Sequence, residues 1–361
     1  MTAHNKIPRW TIIVPGIAWL LFAGNVFTES FALHILMAAG LIGAVIAAVH
    51  HADTVAHKVG DPFGTLVLAI AITIIETSLI ISLMKSEGHD IDTLARDTVF
   101  AAIMIILTGI VGICLLLGTI RYKVQTFDPQ GVNAALSALI AIAVITMVLP
   151  NYTTTVPGPY YSNRQLGFIA IVTLIIYGAF LLVQTVINRD DFLDKIAEPE
   201  SVDQNHGRPG ARTTWISFIF LLVSLVIVVL LAETLAPGIE KWVTDVGAPR
   251  SVVGVMISGI VLLPEAISAV RAARNNRLQV SLNLGLGSAL ASLGLTIPVV
   301  AFVAIYEGLK LEWGLDKKST VLLLLSVFIV ILSLRTGRTN ILQGIILLLI
   351  FAVYLFTTIF P

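Results

Sequence analysis

About eleven stretches of this chain are apolar over lengths that match a lipid bilayer, and that pattern removes most folds from consideration. They lie near 10–28, 31–51, 63–84, 97–119, 132–149, 166–187, 214–236, 251–271, 280–305, 319–334 and 340–360. About 20 apolar residues in a helix span the ~30 Å hydrocarbon core. In lipid, backbone polar groups must be bonded within a helix or around a closed barrel. The alternation of a barrel strand is missing: Ile103–Leu117 and Trp215–Leu231 are almost continuously apolar. The expected fold class is an all-α integral membrane protein of about eleven transmembrane helices. With 57% hydrophobic and 12% charged residues, the chain lacks the polar exterior of a soluble domain. Basic and acidic residues both total 22, so net charge gives no footprint for nucleic acid.

Lys and Arg concentrate in cytoplasmic loops. A cytoplasmic N-terminus puts Lys6, Arg9, Lys58, Arg121, Lys123 and the tight group Arg271, Arg274 and Arg277 inside, and leaves the C-terminus outside. No small-residue cleavage site follows the first apolar stretch, so Trp10–Phe27 reads as a retained helix. Residues 188–213 stand apart. They are acidic at first (Asp190, Asp191, Asp194, Glu198, Glu200, Asp203) and then turn to His206-Gly207-Arg208-Pro209-Gly210. Such a composition builds no core and reads as a cytoplasmic linker.

The linker divides the chain into an extra N-terminal helix (1–28), a first five-helix repeat (29–187), the acidic linker (188–213) and a second five-helix repeat (214–361). The two fives share a signature. Val59-Gly60-Asp61-Pro62 and Val246-Gly247-Ala248-Pro249 each follow a long helix, and each precedes a helix bearing an acid. Glu76 stands 16 residues after Gly60, and Glu265 stands 18 after Gly247. An odd number of helices per copy makes the copies enter the membrane from opposite sides. An inverted repeat of this kind places a substrate site at the midplane.

Glu76 and Glu265 are the residues this arrangement points to. Each is flanked by apolar sequence, and no Lys or Arg lies in the apolar middle of a predicted helix to pair with it. A carboxylate at bilayer depth costs about 2.5 kcal/mol or more, and intramembrane acids mark ion or proton pathways. Thr73 shares the face of Glu76, three residues before it. Pro264 lacks an N–H and obstructs the carbonyl four residues back. The helix is therefore expected to break before Glu265 and to free the Ile260 carbonyl as a ligand for a hard cation. Asn283 and Ser288, on the next helix, could add side-chain oxygens, while the glycines around them suit close helix packing. Burial disfavours the charged carboxylate and a bound cation favours it, so protons and cation compete for the same oxygens. Two acids could take one divalent ion or up to two protons.

Other features have simpler readings. His50, His51, Asp53 and His57 could form a metal cluster, but a solvated helix end accounts for them. Cys114, the single cysteine, reads as a small packing residue. Neither a His-Glu-x-x-His nor a Gly-x-Ser-x-Gly motif occurs, so no enzyme is expected. No cofactor is expected either; the partners are inorganic cations, protons and the bilayer. A passive channel would need a continuous polar lining or a ring of subunits.

The motifs Leu263-Pro264-Glu265, Asn275-Asn276-Arg277-Leu278-Gln279, Ser281-Leu282-Asn283 and Gly287-Ser288 are followed by Leu295-Thr296-Ile297-Pro298. Gly60-Asp61-Pro62-Phe63-Gly64-Thr65-Leu66 leads to Glu76, and Ser333–Asn340 closes the chain's last loop. Together they resemble the cation/calcium exchanger superfamily, nearest to its bacterial ChaA-type calcium/proton and sodium-potassium/proton antiporters. The resemblance implies ten core helices in two inverted halves, with Glu76 and Glu265 as paired cation and proton sites. It implies exchange of Ca2+ for H+ by alternating access across a bacterial inner membrane, or of Na+ or K+ for H+ through the same residues. The sequence departs from the wider family in one respect. Thr73 and Leu262 stand where many relatives carry Asn, and Ile105-Ile106 where a Gly-Ser pair is usual.

Overall fold

The structure, a computed structural model, describes residues 7–25, 30–60, 63–84, 91–193, 209–245 and 247–361. The first half runs α1 (Trp10–Asn25), α2 (Phe31–Val59), α3 (Phe63–Met84), α4 (Ile91–Met104), α5 (Val111–Tyr122), α6 (Pro129–Met147) and α7 (Asn163–Leu182). The second runs α8 (Ala211–Asp245), α9 (Ser251–Val261), α10 (Leu263–Arg274), α11 (Leu278–Ala291), α12 (Ile297–Glu307), α13 (Lys317–Leu334) and α14 (Ile341–Ile359). One π-helical turn, Ile105–Ile110, joins α4 to α5, and another, Ser292–Thr296, joins α11 to α12. A third, Val183–Ile187, extends α7. Among the described residues, strand pairing is confined to two isolated bridges, Thr126 with Arg338 and Tyr160 with Glu312.

Each predicted apolar segment falls on helix, with three differences. Among the described residues, eight helical spans are long and apolar enough to cross a bilayer, or nine if the bent pair α9–α10 is one span. The expected count of about eleven is not reached on that criterion, because α1 and the Ala69–Ser82 part of α3 fall short. At 16 residues, α1 covers only about 24 Å. Second, α2 continues to Val59 and α8 to Asp245, well past the apolar runs, because helical hydrogen bonding continues after hydropathy fades. Third, part of the expected linker is ordered, with Arg189–Phe192 forming a 3-10 turn. Residues 194–208 lie outside the described residues.

The repeat signature has a backbone counterpart. Gly60 and Gly247 both adopt positive φ, +78° and +72°. Each ends a long helix ahead of an acid-bearing one, where a side chain would be strained.

Two compact units form, and each takes elements from both halves of the sequence. The first comprises residues 1–88 and 199–242, that is α1, α2, α3 and most of α8. Within it α1 rests on α2 at Gly43, which lies against Val14, and Gly40, which lies against Leu21 and Ala18. His51 is fully buried there, its Nε2 3.2 Å from the Thr11 carbonyl and its ring stacked on Phe220.

The second unit comprises residues 89–198 and 243–361. Its helices meet at glycines. A Cβ on Gly254 of α9 would lie 2.9 Å from the Thr98 nitrogen of α4, and one on Gly344 of α14 would lie 2.7 Å from the Leu116 nitrogen of α5. At one end, Arg96 binds both Asp97 and Glu312 and donates to the Gly314 carbonyl, fastening loop 308–316 to α4. Tyr161 donates to the Ile145 carbonyl in the last turn of α6, and burial pushes its phenol up to about 12. At the other end, Gln125 donates to the Ala273 carbonyl and to Asn276 Oδ1. The Gln279 Oε1 accepts from the Asp128 backbone, while Thr339 exchanges two bonds with Gln125.

Candidate functional site

In the second unit, the break expected before Glu265 is present. Helices α9 and α10 meet at 57°, with Leu262 alone between them at φ −84°, ψ −3°. Pro264 occupies the first turn of α10, where its missing N–H is no loss. Glu265 lies in the same turn, 8% exposed. A helix that begins at such a break aims its N-terminal dipole at that position, which favours negative charge. The Ile260 carbonyl lies at the break as expected. It is not wholly released, because the Leu262 N–H turns toward both the Ser258 and Ile260 carbonyls. The Ser258 hydroxyl donates to the Thr98 carbonyl at 2.7 Å, holding α9 on α4.

In the hairpin α10–α11, helical rise per residue indicates which groups share the height of Glu265. Counted from Asn276 in its turn, Glu265 is 11 residues back and Gly287 11 residues on. Antiparallel packing thus puts Gly287 and Ser288 level with the acid. The Ser288 hydroxyl is enclosed and has no hydrogen-bond partner among the described residues. A Cβ on Gly287 would meet nothing within 4 Å, so this glycine leaves space beside the acid's level and makes no close helix contact. The tight contact expected of this region falls at Gly294, against Tyr177.

Asn283 has a different setting. Its Nδ2 donates to the Phe192 carbonyl at 2.6 Å, and its Oδ1 accepts from Gln279 at 3.1 Å. Its amide is thereby engaged in the loop network at the end of the unit, roughly 6 Å along the axis from the level of Glu265.

In the first unit, Glu76 lies on α3 and is 2% exposed. This helix has no proline and runs unbroken from Phe63 to Met84. The Thr73 hydroxyl donates to the Ala69 carbonyl at 2.8 Å, and that of Thr77 to the Thr73 carbonyl at 2.6 Å. Both protons are used within the helix, which leaves the hydroxyl lone pairs as acceptors. The two acid-bearing helices therefore differ in backbone, one broken and one continuous.

His50, His51, Asp53 and His57 do not form a metal cluster. Among the described residues no three His, Cys, Asp or Glu side chains converge. His57 and Asp53 face each other at 3.6 Å on an exposed helix surface, and His50 packs on Trp10. Cys114 is free and buried, as a packing residue should be. The π turns were not foreseen. Two of the three occur in the span after an acid-bearing helix, the third at the end of α7, and such turns concentrate at functional sites. The sequence signal was slight: a Thr-Gly pair at 108–109 and a Ser-Leu-Gly at 292–294.

A multi-pass helical protein with a buried acid at a mid-span helix break has the architecture of a secondary transporter. Comparison with known proteins narrows this. The sodium/calcium exchanger protein family matches residues 29–186 and 216–360. The chain belongs to that family, within the cation/calcium exchanger superfamily. It is 43% identical to y4hA of Sinorhizobium fredii over 366 residues, 100% of this chain and 98% of that one. It is 34% identical to the sodium-potassium/proton antiporter ChaA of Escherichia coli, over 90% of this chain and 88% of that one. Among solved structures, native YfkE matches with a TM-score of 0.73 at 16% identity, covering 97% of this chain and 100% of that one. That likeness is one of fold.

Proposed function

We propose that this protein is a secondary active antiporter exchanging an inorganic cation for protons by alternating access. The observation that carries the reading is Glu265, buried in the first turn of a helix that Pro264 starts in mid-span. Glu76 is its counterpart in the first half. Cation bound to ionised carboxylates and protons bound to neutral ones are exclusive occupants, so loading one side's ion releases the other's. The Ser288 hydroxyl, the Ile260 carbonyl and Thr73 supply further oxygens; Asn283 anchors α11 from the side. The protein resides in a bacterial inner membrane with its N-terminus cytoplasmic and C-terminus periplasmic, following the Lys and Arg bias.

Ca2+ is the first substrate of this reading, in keeping with two acids and with the description of YfkE as a Ca2+/H+ antiporter. A second reading, exchange of Na+ or K+ for H+, has its own support. ChaA is named a sodium-potassium/proton antiporter, and Thr73 and Leu262 withhold the amide oxygens that a six-to-eight-coordinate calcium shell uses.

The test is proton movement in everted vesicles with an imposed pH gradient, comparing Ca2+, Na+ and K+. Glu265→Gln and Glu76→Gln should each abolish cation-driven proton release at unchanged protein level. Normal exchange by both variants would refute the assignment, and the cation that works in the parent protein selects between the two substrates.

A further inference from the structure

We propose that a cleft between the ends of α5 and α10 binds the phosphate headgroup of an anionic phospholipid. The cleft lies within the second unit and has a volume of about 480 Å3. Arg121 comes from the last turn of α5, and Arg271 and Arg274 from the last turn of α10. Asn275 completes this polar wall, and among the described residues no carboxylate lines the cleft. The walls are fastened to each other, since the Tyr122 hydroxyl of α5 donates to the Arg274 carbonyl at 3.1 Å. Arg121 also lies over the Tyr122 ring, 5.5 Å from its centroid.

A simpler account of these cations is that they complement the C-terminal dipoles of two helices. That explains each arginine alone, but not three converging on one cavity. All three are exposed, and among the described residues none forms an ion pair. Like charges held close together repel, and an anion between them removes the repulsion. Guanidinium forks match phosphate oxygens with paired hydrogen bonds.

The rest of the lining selects a lipid over free phosphate. Ala266, Ile267 and Val270 form an apolar wall on α10, leading from the arginines back toward the Pro264 break. Ile267 is 49% exposed. At ~1.5 Å per residue, Arg271 and Arg274 stand roughly 10–15 Å along the helix from that break. Half of a ~30 Å hydrocarbon core is a similar distance, so a break at mid-depth leaves the arginines at headgroup level. An amphiphile with phosphate at the arginines and acyl chain along Ile267 fits both walls. Basic pockets between transmembrane helices bind such headgroups.

The experiment uses the full-length protein in detergent micelles and follows its unfolding midpoint as phosphatidylglycerol or phosphatidylcholine is added. Phosphatidylglycerol should raise the midpoint by several degrees and phosphatidylcholine should not. The combined variant Arg121→Gln, Arg271→Gln, Arg274→Gln should lose most of the rise, whereas Arg164→Gln, outside the cleft, should keep it. An undiminished rise in the combined variant would overturn the proposal. Should that variant fail to fold, the parent protein supplies the decision: its rise must shrink at high salt, and a salt-insensitive rise would overturn the site. Inorganic phosphate at millimolar concentration reproducing the full effect would make this a free-phosphate site and overturn the lipid assignment. So would a rise that appears only after Glu198–Asn205 are deleted, since the chain's own acidic segment would then be the occupant.

Discussion

At the scale of single residues, the burial of the two acids was legible because charge inside an apolar run has few explanations. Their neighbours were not. Ser288 and Asn283 look equally fit to hold a cation from sequence, both polar and both on the helix after Glu265. What separates them is a partner: the Phe192 carbonyl, far away in the chain, engages the Asn283 amide, while the Ser288 hydroxyl has no partner among the described residues. Ser288→Ala should therefore raise the half-saturating cation concentration about fivefold, equivalent to one hydrogen-bond-sized loss of about 1 kcal/mol. Asn283→Ala should act on stability, lowering the unfolding midpoint by unfastening the Arg189–Phe192 turn. Flux titrations and thermal unfolding of both variants separate the two effects. The opposite pattern would exchange their roles.

At the scale of elements, the helix break was readable because proline acts locally, through a missing N–H and a ring that obstructs one carbonyl. The π turns escaped because one extra residue per turn leaves no mark on apolar periodicity. Close helix crossings were misplaced for a related reason: a glycine signals possible approach, but only a neighbour makes it tight. Pro264→Ala should let α9 and α10 join as a continuous helix and weaken cation affinity, read as a raised half-saturation with preserved expression; unchanged affinity would detach the break from binding. Gly344→Val should destabilise by about 1–3 kcal/mol through overpacking, because the contact is backbone and cannot yield. Gly178→Ala, with open space around the same atom, should leave the unfolding midpoint in detergent unchanged.

For the whole molecule, the all-helical class was legible, although eight or nine spans, not about eleven, meet the length criterion among the described residues. Grouping was not. The compact units draw on both halves, since helices cluster by complementary faces that hydropathy does not record. The motif string that carried the family resemblance also has a broader role than binding. Asn276, Gln279 and Asn283, with Thr339, stitch loops at one end of the second unit. The acidic stretch contributes composition and length alone to this picture. Deleting Glu198–Asn205 should leave antiport within about twofold of the parent in vesicle assays, as expected for a solvated tether; complete loss of flux would give it a larger part.

The matched left-handed glycines carry a consequence for ancestry. Gly60 combines φ +78° with ψ +168°, a combination open to almost no other residue. Mutation can rewrite lipid-facing side chains freely, yet it is checked wherever the main chain itself forbids a Cβ. A duplicated gene would then keep its two positive-φ glycines long after its apolar stretches had drifted beyond alignment. In distant kin whose halves no longer resemble each other, such conformational fossils should still mark equivalent positions in one copy and its twin.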